Sequence, residues 1–313
     1  MAAPHARTPR RRVDGVLLLD KPLGLSSNAA LQQAKRLYAA EKAGHTGTLD
    51  PLATGLLPIC FGEATKFAQS LLDADKAYIA AVRFGIATTT GDAEGGIVAK
   101  CEAAFTRADL EAALPRFVGA VSQVPPRHAA LKFEGRNYYE YARAGVEIPR
   151  VAREVRIDAL ELLEWAPPVA TLRVACGKGT YIRVLAEDLA AALGSCAHLV
   201  ALRRTATEPF SIDGAVTLDA LATLVPSERD ALLLPPYAPL AGTPHLAVDA
   251  DTARALFEGR VPPAPAGVCG RHCCFDGTGA FVGLVDVEPA GIRPVRLART
   301  NSIAGSGPPC GDA

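Results

Sequence analysis

Short apolar runs separated by polar turns recur along this chain of 313 residues and predict its strands. Residues 14–20, with the sequence DGVLLLD, and residues 56–61, with the sequence LLPICF, are continuous runs of the length typical of buried strands. Residues 78–85 and 169–176 alternate between the two faces of a predicted strand. Residues 198–204 predict the beginning of a further strand.

A longer periodicity predicts helices between these strands. Residues 29–39 place apolar side chains near one face and follow serine and asparagine residues that suit a helix N-cap. Residues 62–67 predict the opening of another helix, and residues 107–117 predict a third. Residues 182–193 predict a helix that ends before Gly194, where a glycine C-cap would lie. Strands and helices mixed in this way predict a mixed α/β fold.

The composition is that of an ordinary globular protein, with 49% hydrophobic and 21% charged residues. No apolar run approaches the ~20 residues that a membrane-spanning helix needs, and the N-terminus lacks the apolar segment of a secretory signal. We therefore expect a cytoplasmic protein with no membrane partner.

Charge is balanced overall but uneven along the chain. The 33 basic and 33 acidic residues give a net charge of zero, whereas nucleic-acid-binding domains usually carry a basic surplus. Between Arg127 and Arg183 there are ten Lys/Arg and seven Asp/Glu. This local surplus fits either a phosphate-binding patch or a solvated face. Four further arginines cluster near the N-terminus: Arg7, Arg10, Arg11 and Arg12.

The eight cysteines follow no regular framework, so we expect reduced thiols and no disulfides. Four possible metal ligands are crowded together: Cys269, His272, Cys273 and Cys274. They lie within six residues, unlike the separated pairs of a zinc finger, so buried thiols are the favoured interpretation. The chain also lacks the glycine patterns of a P-loop or a Rossmann fold. We expect neither a metal nor a cofactor.

The segment from Pro125 to Arg150 mixes tyrosines, in the run NYYEY, with Lys and Arg residues. Aromatic and basic side chains interleaved in this way suit stacking on bases and pairing with phosphates. An amphipathic helix whose tyrosines lie at the edge of the core explains the pattern equally well.

The stretch from Gly44 to Gly55, GHTGTLDPLATG, holds one carboxylate, Asp50, within a frame of glycines, threonines and a proline. Glycines allow positive φ angles and close approach of the backbone to a ligand, and Pro51 biases Asp50 toward an extended conformation. A carboxylate held in this way can be aimed at a substrate. The alternative is an ordinary turn in which Asp50 bonds to nearby amides.

The longer block GHTGTLDPLATGLLPICFGEATKF resembles the catalytic signature of the TruB family of tRNA pseudouridine synthases, and the resemblance extends over about residues 14–215. It implies isomerisation of the uridine at position 55 in the T loop of tRNA. It also implies a catalytic domain over residues 13–240, built on a mixed, mostly antiparallel sheet. An insertion of about residues 124–152, hereafter the insertion, would close over the T arm.

Pseudouridine formation breaks a C–N glycosidic bond, turns the base over and makes a C–C bond. A single carboxylate can act on the sugar or the base as nucleophile or proton acceptor, and Asp50 is the candidate. Arg183, in the run GTYIR, matches the family position that pairs with the catalytic aspartate. An arginine suits this place because it stays charged and offers two donors to one carboxylate.

The resemblance also assigns substrate contacts. The target base must leave its stack before it can react. Tyr78 matches the family tyrosine that stacks on the uracil, Tyr181 a second tyrosine at the substrate, and Leu202 a leucine that lines the pocket. His45 matches the histidine that assists the flipped conformation of the RNA. Ala129 departs from the family pattern, which has a serine at its place.

Outside the predicted catalytic domain, residues 1–12 are expected to be a flexible basic tail and residues 302–313 a disordered one. Residues 238–244 are rich in proline and glycine and predict a linker. Residues 245–301 predict a small β domain that resembles, more weakly, the PUA-type RNA-binding domain.

The resemblance predicts a monomeric, stand-alone tRNA enzyme with no obligate protein partner. Three alternatives remain: the same chemistry on another RNA with guide RNA and partner proteins, a non-catalytic RNA-binding protein, and a hydrolase that uses Asp50. The hydrolase is disfavoured because no second carboxylate lies at a convincing position for glycoside chemistry.

Overall fold

The computed structural model describes residues 9–299. Its strands, in chain order, are β1 (Gly15–Lys21), β2 (Ala43–His45), β3 (Ala53–Phe61), β4 (Lys76–Phe84), β5 (Ile86–Thr88), β6 (Ile97–Lys100), β7 (Gly119–Gln123), β8 (Lys132–Phe133), β9 (Arg136–Asn137), β10 (Arg153–Ala166), β11 (Val169–Cys176), β12 (Ala197–Thr207), β13 (Phe210–Ser211), β14 (Val216–Thr217), β15 (His245–Ala247), β16 (Gly270–Phe275), β17 (Phe281–Glu288) and β18 (Gly291–Leu297).

The α-helices are short and lie between these strands. They are α1 (Ser27–Leu37), α2 (Ala68–Asp73), α3 (Arg107–Ala113), α4 (Tyr138–Arg143), α5 (Ile182–Ala192), α6 (Leu218–Thr223), α7 (Pro226–Ala231) and α8 (Ala250–Phe257). The predicted helices at 29–39 and 182–193 are confirmed, and Gly194 has the positive φ (70°) expected after a helix end. Residues 62–67 and 114–117 form 3₁₀ turns instead of α-helix. Within residues 9–299, no helix is long and apolar enough to cross a lipid bilayer.

One large sheet of ten strands organises the chain. Its order is β14-β1-β3-β12-β4-β11-β10-β7, and β2 and β13 pair with β3 and β12. The pairs β1–β14 and β3–β12 are parallel, and the other pairs along this path are antiparallel. The predicted mixed α/β fold on a mostly antiparallel sheet is therefore confirmed.

The large sheet has an apolar core on each face. Along β1, Leu17 and Leu19 belong to one core with α1 and α5, whereas Val16 and Leu18 belong to a smaller core on the other face. Successive side chains of a strand point to opposite faces, and both faces of β1 and β3 are covered. This double burial explains why these strands are continuous apolar runs and do not alternate.

A second sheet, of order β15-β16-β17-β18, is formed by residues within the predicted small β domain. It packs against the 3₁₀ turn that follows β3, where the Phe67 ring lies 5.4 Å from that of Phe281, edge to face. Leu240, within the predicted linker, is buried in the same cluster. The predicted linker is therefore not a free connection, because Leu240 is part of a core between the second sheet and Phe67.

Two predictions about other regions need correction. Arg11 is not part of a free tail, because it pairs with Asp230 and donates to the Tyr38 carbonyl oxygen at 3.0 Å. The expectation that all cysteines are reduced is wrong for Cys101 and Cys196, which form a disulfide. Residues 1–8 and the predicted C-terminal tail lie outside the described residues.

Two of the four possible metal ligands, Cys273 and Cys274, are separated by the pleat of β16. Cys273 contributes to the core that contains Phe67 and Leu240, whereas Cys274 contributes to the core under α8. Adjacent residues of a strand face opposite sides, so these thiols point apart. Between residues 9 and 299, no group of three or more potential metal ligands is formed.

Candidate active site

Asp50 lies in the loop between β2 and β3, and this loop is shaped by two glycines. Gly47 and Gly55 have φ angles of 77° and 99°, as the glycine-rich pattern predicted. A β-carbon on Gly55 would lie 2.3 Å from the carbonyl oxygen of Arg204 on β12. Only glycine therefore lets β3 approach β12 this closely at the base of the loop.

A buried serine fixes the residue before Asp50. The Ser27 hydroxyl, at the start of α1, accepts from the Leu49 amide at 2.7 Å and donates to the Leu49 carbonyl oxygen at 3.0 Å. On the other side of Asp50, the Ala53 amide donates to the Asp50 carbonyl oxygen at 3.0 Å. The backbone of Asp50 is thus held on both sides.

The Asp50 carboxylate pairs with Arg183 on α5, with Oδ2 3.1 Å from Nη2. The Arg183 side chain is 6% exposed and the Asp50 side chain 38% exposed. Asp50 therefore pairs with a cation that is distant in the sequence, as the resemblance predicted. The alternative, a turn residue bonded only to nearby amides, does not describe it.

Arg183 is itself held by two loops. Its Nη1 donates to the Thr90 carbonyl oxygen and its Nη2 to the His128 carbonyl oxygen, both at 2.8 Å. Its Nε lies 3.9 Å from Oδ2 of Asp92, whose side chain is buried. Asp92 is a site residue that the sequence analysis did not identify.

The charges around Asp50 act in opposite directions on its pKa. Burial raises the pKa of Asp50, the positive charge of Arg183 lowers it, and the negative charge of Asp92 raises it, with a raised pKa as the net result. The positive charge of Arg183 therefore offsets only part of the effect of burial on the pKa of Asp50.

Two buried cations near the loop were not predicted. Lys21, at the end of β1, donates to the carbonyl oxygens of Pro22 (2.9 Å) and Leu25 (2.6 Å), and burial lowers its pKa to about 8. Arg204, on β12, donates from Nε to the Leu56 carbonyl oxygen at 2.6 Å and from Nη2 to the Gly47 carbonyl oxygen at 3.1 Å. In the sequence, the signal for both is a basic residue in a strand at a position that has no solvent-exposed face.

Tyr78 and Leu202 lie on neighbouring strands and face the same core. Tyr78 on β4 is paired with Arg204 on β12, and Ala80, two residues along β4, is paired with Leu202. Burial raises the pKa of Tyr78, so its phenol is neutral. An aromatic ring and an apolar side chain thus lie side by side on this face of the sheet.

Tyr181 immediately precedes α5, two residues before Arg183, and it is only partly buried. His45 ends β2, and its buried Nδ1 has no hydrogen-bond partner among the described residues. Burial and the neighbouring Arg204 charge lower the pKa of His45, which favours the neutral imidazole. The structure directly joins Asp50 and Arg183, and it places the other four predicted residues on the elements around them.

The insertion contains the short strands β8 and β9 and the helix α4. None of the six residues of α4 is buried, and the Arg143 guanidinium lies 5.5 Å from the centre of the Tyr139 ring. Tyr139 is exposed, whereas Tyr138 and Tyr141 are half-buried and the Tyr141 ring lies 6.0 Å from that of Phe133, so both interpretations of the tyrosines stay open. Ala129, where the family pattern has serine, is buried.

Comparison with known proteins identifies two matching family domains. Residues 35–182 match the N-terminal domain of the TruB family of pseudouridylate synthases. Residues 183–237 match the C-terminal domain of tRNA pseudouridylate synthase B. The first match ends at Ile182 and the second begins at Arg183, and together they cover every predicted site residue.

Curated relatives are similar over nearly the whole chain. A tRNA pseudouridine synthase B of Thiobacillus denitrificans is 53% identical over 93% of this chain and 98% of its own length. One of Burkholderia mallei is 50% identical over 96% and 99%. Among solved structures, a chain of a Cbf5–Nop10–Gar1 complex has a TM-score of 0.67 at 26% identity, covering 87% of this chain and 78% of that chain.

Proposed function

This chain belongs to the TruB family of pseudouridylate synthases, and on that basis we propose that it isomerises uridine to pseudouridine at position 55 of tRNA. In this reaction the N1–C1′ bond of the target uridine breaks and a C5–C1′ bond forms. The C5 proton is lost and N1 gains one, so the product has the same atoms as the substrate. No oxidant, reductant or group donor enters the balance.

The paired Asp50 and Arg183 are the observation that carries this proposal. Asp50 is the carboxylate that acts on the sugar or base, and Arg183 keeps it ionised and oriented. Because Arg183 is also anchored to the Thr90 and His128 carbonyl oxygens, it cannot follow Asp50 away from this geometry. A fixed cation of this kind lowers the reorganisation needed during the reaction.

The remaining residues hold the flipped nucleotide. Tyr78 stacks on the uracil, Leu202 closes the same side of the pocket, and Tyr181 contacts the substrate from the start of α5. His45, neutral because burial lowers its pKa, supports the flipped conformation of the RNA and transfers no proton.

The RNA is the T arm of tRNA, and the enzyme acts alone as a monomer. Helix α4 of the insertion, none of whose residues is buried, supplies aromatic and basic side chains for stacking and phosphate contacts. The small β domain acts as a PUA-like RNA-binding domain and adds affinity. A non-catalytic RNA-binding protein would not need a buried arginine aimed at a partly open carboxylate.

An unmodified tRNA transcript tests this proposal. Incubation with the protein should give pseudouridine at position 55, located by chemical mapping, and a transcript with cytidine at that position should give none. Pseudouridine only at another position, or none in either transcript, would overturn the assignment.

A further inference from the structure

The two ends of the insertion meet at one pair of residues. Gln123 is the last residue of β7 and Arg153 is the first of β10, and the two are paired across the antiparallel ladder. This pair is therefore the place where the insertion joins the large sheet.

Gln123 contacts the main chain of Tyr181 on both of its polar groups. Its Oε1 accepts from the Tyr181 amide at 3.0 Å, and its Nε2 donates to the Tyr181 carbonyl oxygen at 3.3 Å. The Gln123 side chain is buried, with the residue 1% exposed. A buried amide that matches one backbone residue in this way fixes that residue's position, since losing it would leave buried polar groups unpaired.

Arg153 contacts the ring of the same tyrosine. Its guanidinium carbon lies 5.1 Å from the centre of the Tyr181 ring, and its Nη2 donates to the Gly179 carbonyl oxygen. Its Nε is buried and has no hydrogen-bond partner in the described part of the chain. A buried unpaired donor costs free energy, so the contact with the Tyr181 ring and the hydrogen bond to Gly179 together must hold this side chain beside Tyr181.

We propose that Gln123 and Arg153 are positioning residues that tie the insertion to Tyr181. This inference rests on the proposed function. Gln123 sets the main chain of Tyr181 and Arg153 sets its ring, so an insertion seated on RNA holds Tyr181 against the flipped nucleotide. Arg183 follows two residues later on α5, and the same contacts therefore also set the cation that faces Asp50.

The chain offers graded substitutions at both positions. Gln123→Leu removes both polar groups, whereas Gln123→Glu keeps an acceptor for the Tyr181 amide. Arg153→Leu removes charge and stacking, whereas Arg153→Lys keeps the charge without the planar group. Arg107→Leu, on the exposed face of α3, is the matched control because Arg107 is exposed and pairs with its helix neighbour Glu111.

Single-turnover rate and tRNA affinity are measured separately for each full-length variant. Misplacing a substrate-contacting group can cost up to about a hundredfold in rate, so we expect Gln123→Leu and Arg153→Leu to lose about ten- to a hundredfold, with Kd changed less than about threefold. The Glu and Lys variants should retain more of the rate than the Leu variants, and Arg107→Leu should match the wild type.

Rates within about twofold of wild type, or a loss confined to Kd, would overturn the inference. If Gln123→Leu does not fold, the ordering of Arg153→Leu, Arg153→Lys and wild type decides the matter. A wild-type protein that forms no pseudouridine refutes the proposed function. An active wild type with unimpaired variants refutes only the positioning roles.

Discussion

The ion pair between Asp50 and Arg183 joins a half-open carboxylate to a guanidinium that is almost wholly enclosed. The enclosed member is anchored by backbone carbonyl oxygens, so its position does not depend on Asp50 alone. The open member keeps one side free for a substrate. This asymmetry separates the group that reacts from the group that orients it.

Asp50→Asn should abolish pseudouridine formation while tRNA binding stays close to wild type. The amide keeps the shape of the carboxylate but loses the charge and the nucleophilic oxygen, and the RNA-facing aromatic and basic groups are unchanged. Both quantities are measured on one preparation, with the exposed Asp219→Asn as the control. Substantial product from Asp50→Asn would remove Asp50 from the mechanism.

The rate should fall as the pH is lowered through the raised pKa of Asp50. Only the ionised carboxylate reacts, and because burial raises its pKa, activity should be lost at a higher pH than for an exposed aspartate. The measurement is single-turnover rate against pH at saturating enzyme.

Asp92→Asn tests the cause of this pH dependence. The negative charge of Asp92 raises the pKa of Asp50, so its removal should move the acidic limb to lower pH, whatever happens to the plateau rate. A limb that stays in place or moves to higher pH would mean that another group controls it.

His45→Gln should lower the rate only moderately. Burial lowers the pKa of His45 and its Nδ1 lacks a partner in the described structure, both of which suit a neutral, shape-fitting side chain. Glutamine preserves a polar group of similar reach. A loss as deep as that of Asp50→Asn would instead give the imidazole a role in proton transfer.

Phe67→Ala should destabilise the protein by about 3 kcal/mol, the lower end for truncating a buried phenylalanine. Phe67 packs against Phe281 of the second sheet, so the loss falls on the core between the 62–67 turn and the second sheet. Denaturant unfolding provides the measurement, and the exposed Val118→Ala provides the control. The single-turnover rate at saturating enzyme should be unchanged in the folded variant.

The core around Phe67 also changes the expected effect of removing the second sheet. Removal of residues from about 244 onward should weaken tRNA binding by removing phosphate contacts. It would also expose Phe67 and Leu240, so a lower thermal stability should accompany the loss of affinity. A truncated protein as stable as the full chain would show that this contact contributes little.

The local elements of the fold could be predicted because periodicity reports burial along one segment. The strand at 169–176 has the predicted bounds, and the predicted helix begins at Ile182 and ends one residue early, at Ala192. Asp50 and Arg183 were found because the motifs around them are continuous. Each of these features depends on a stretch of about a dozen neighbouring residues.

Contacts between distant segments could not be predicted in this way. Gln123 lies 58 residues from Tyr181, Arg11 lies 219 residues from Asp230, and the cysteines of the disulfide are 95 residues apart. No periodicity links such segments. The role of Asp92 was missed for the same reason, since it depends on which helix the 88–92 loop meets.

The parallel pairing of β3 with β12 has a consequence for synthesis. Thr54 on β3 donates to the carbonyl oxygen of Leu202 on β12, 148 residues later in the chain. At translation rates of about 5–20 residues per second, β3 waits ~7–30 s for this neighbour to leave the ribosome. During that time its apolar run is an unpaired strand edge, which is prone to wrong pairing. The nascent chain must therefore be kept from aggregating before a catalytic centre exists at all.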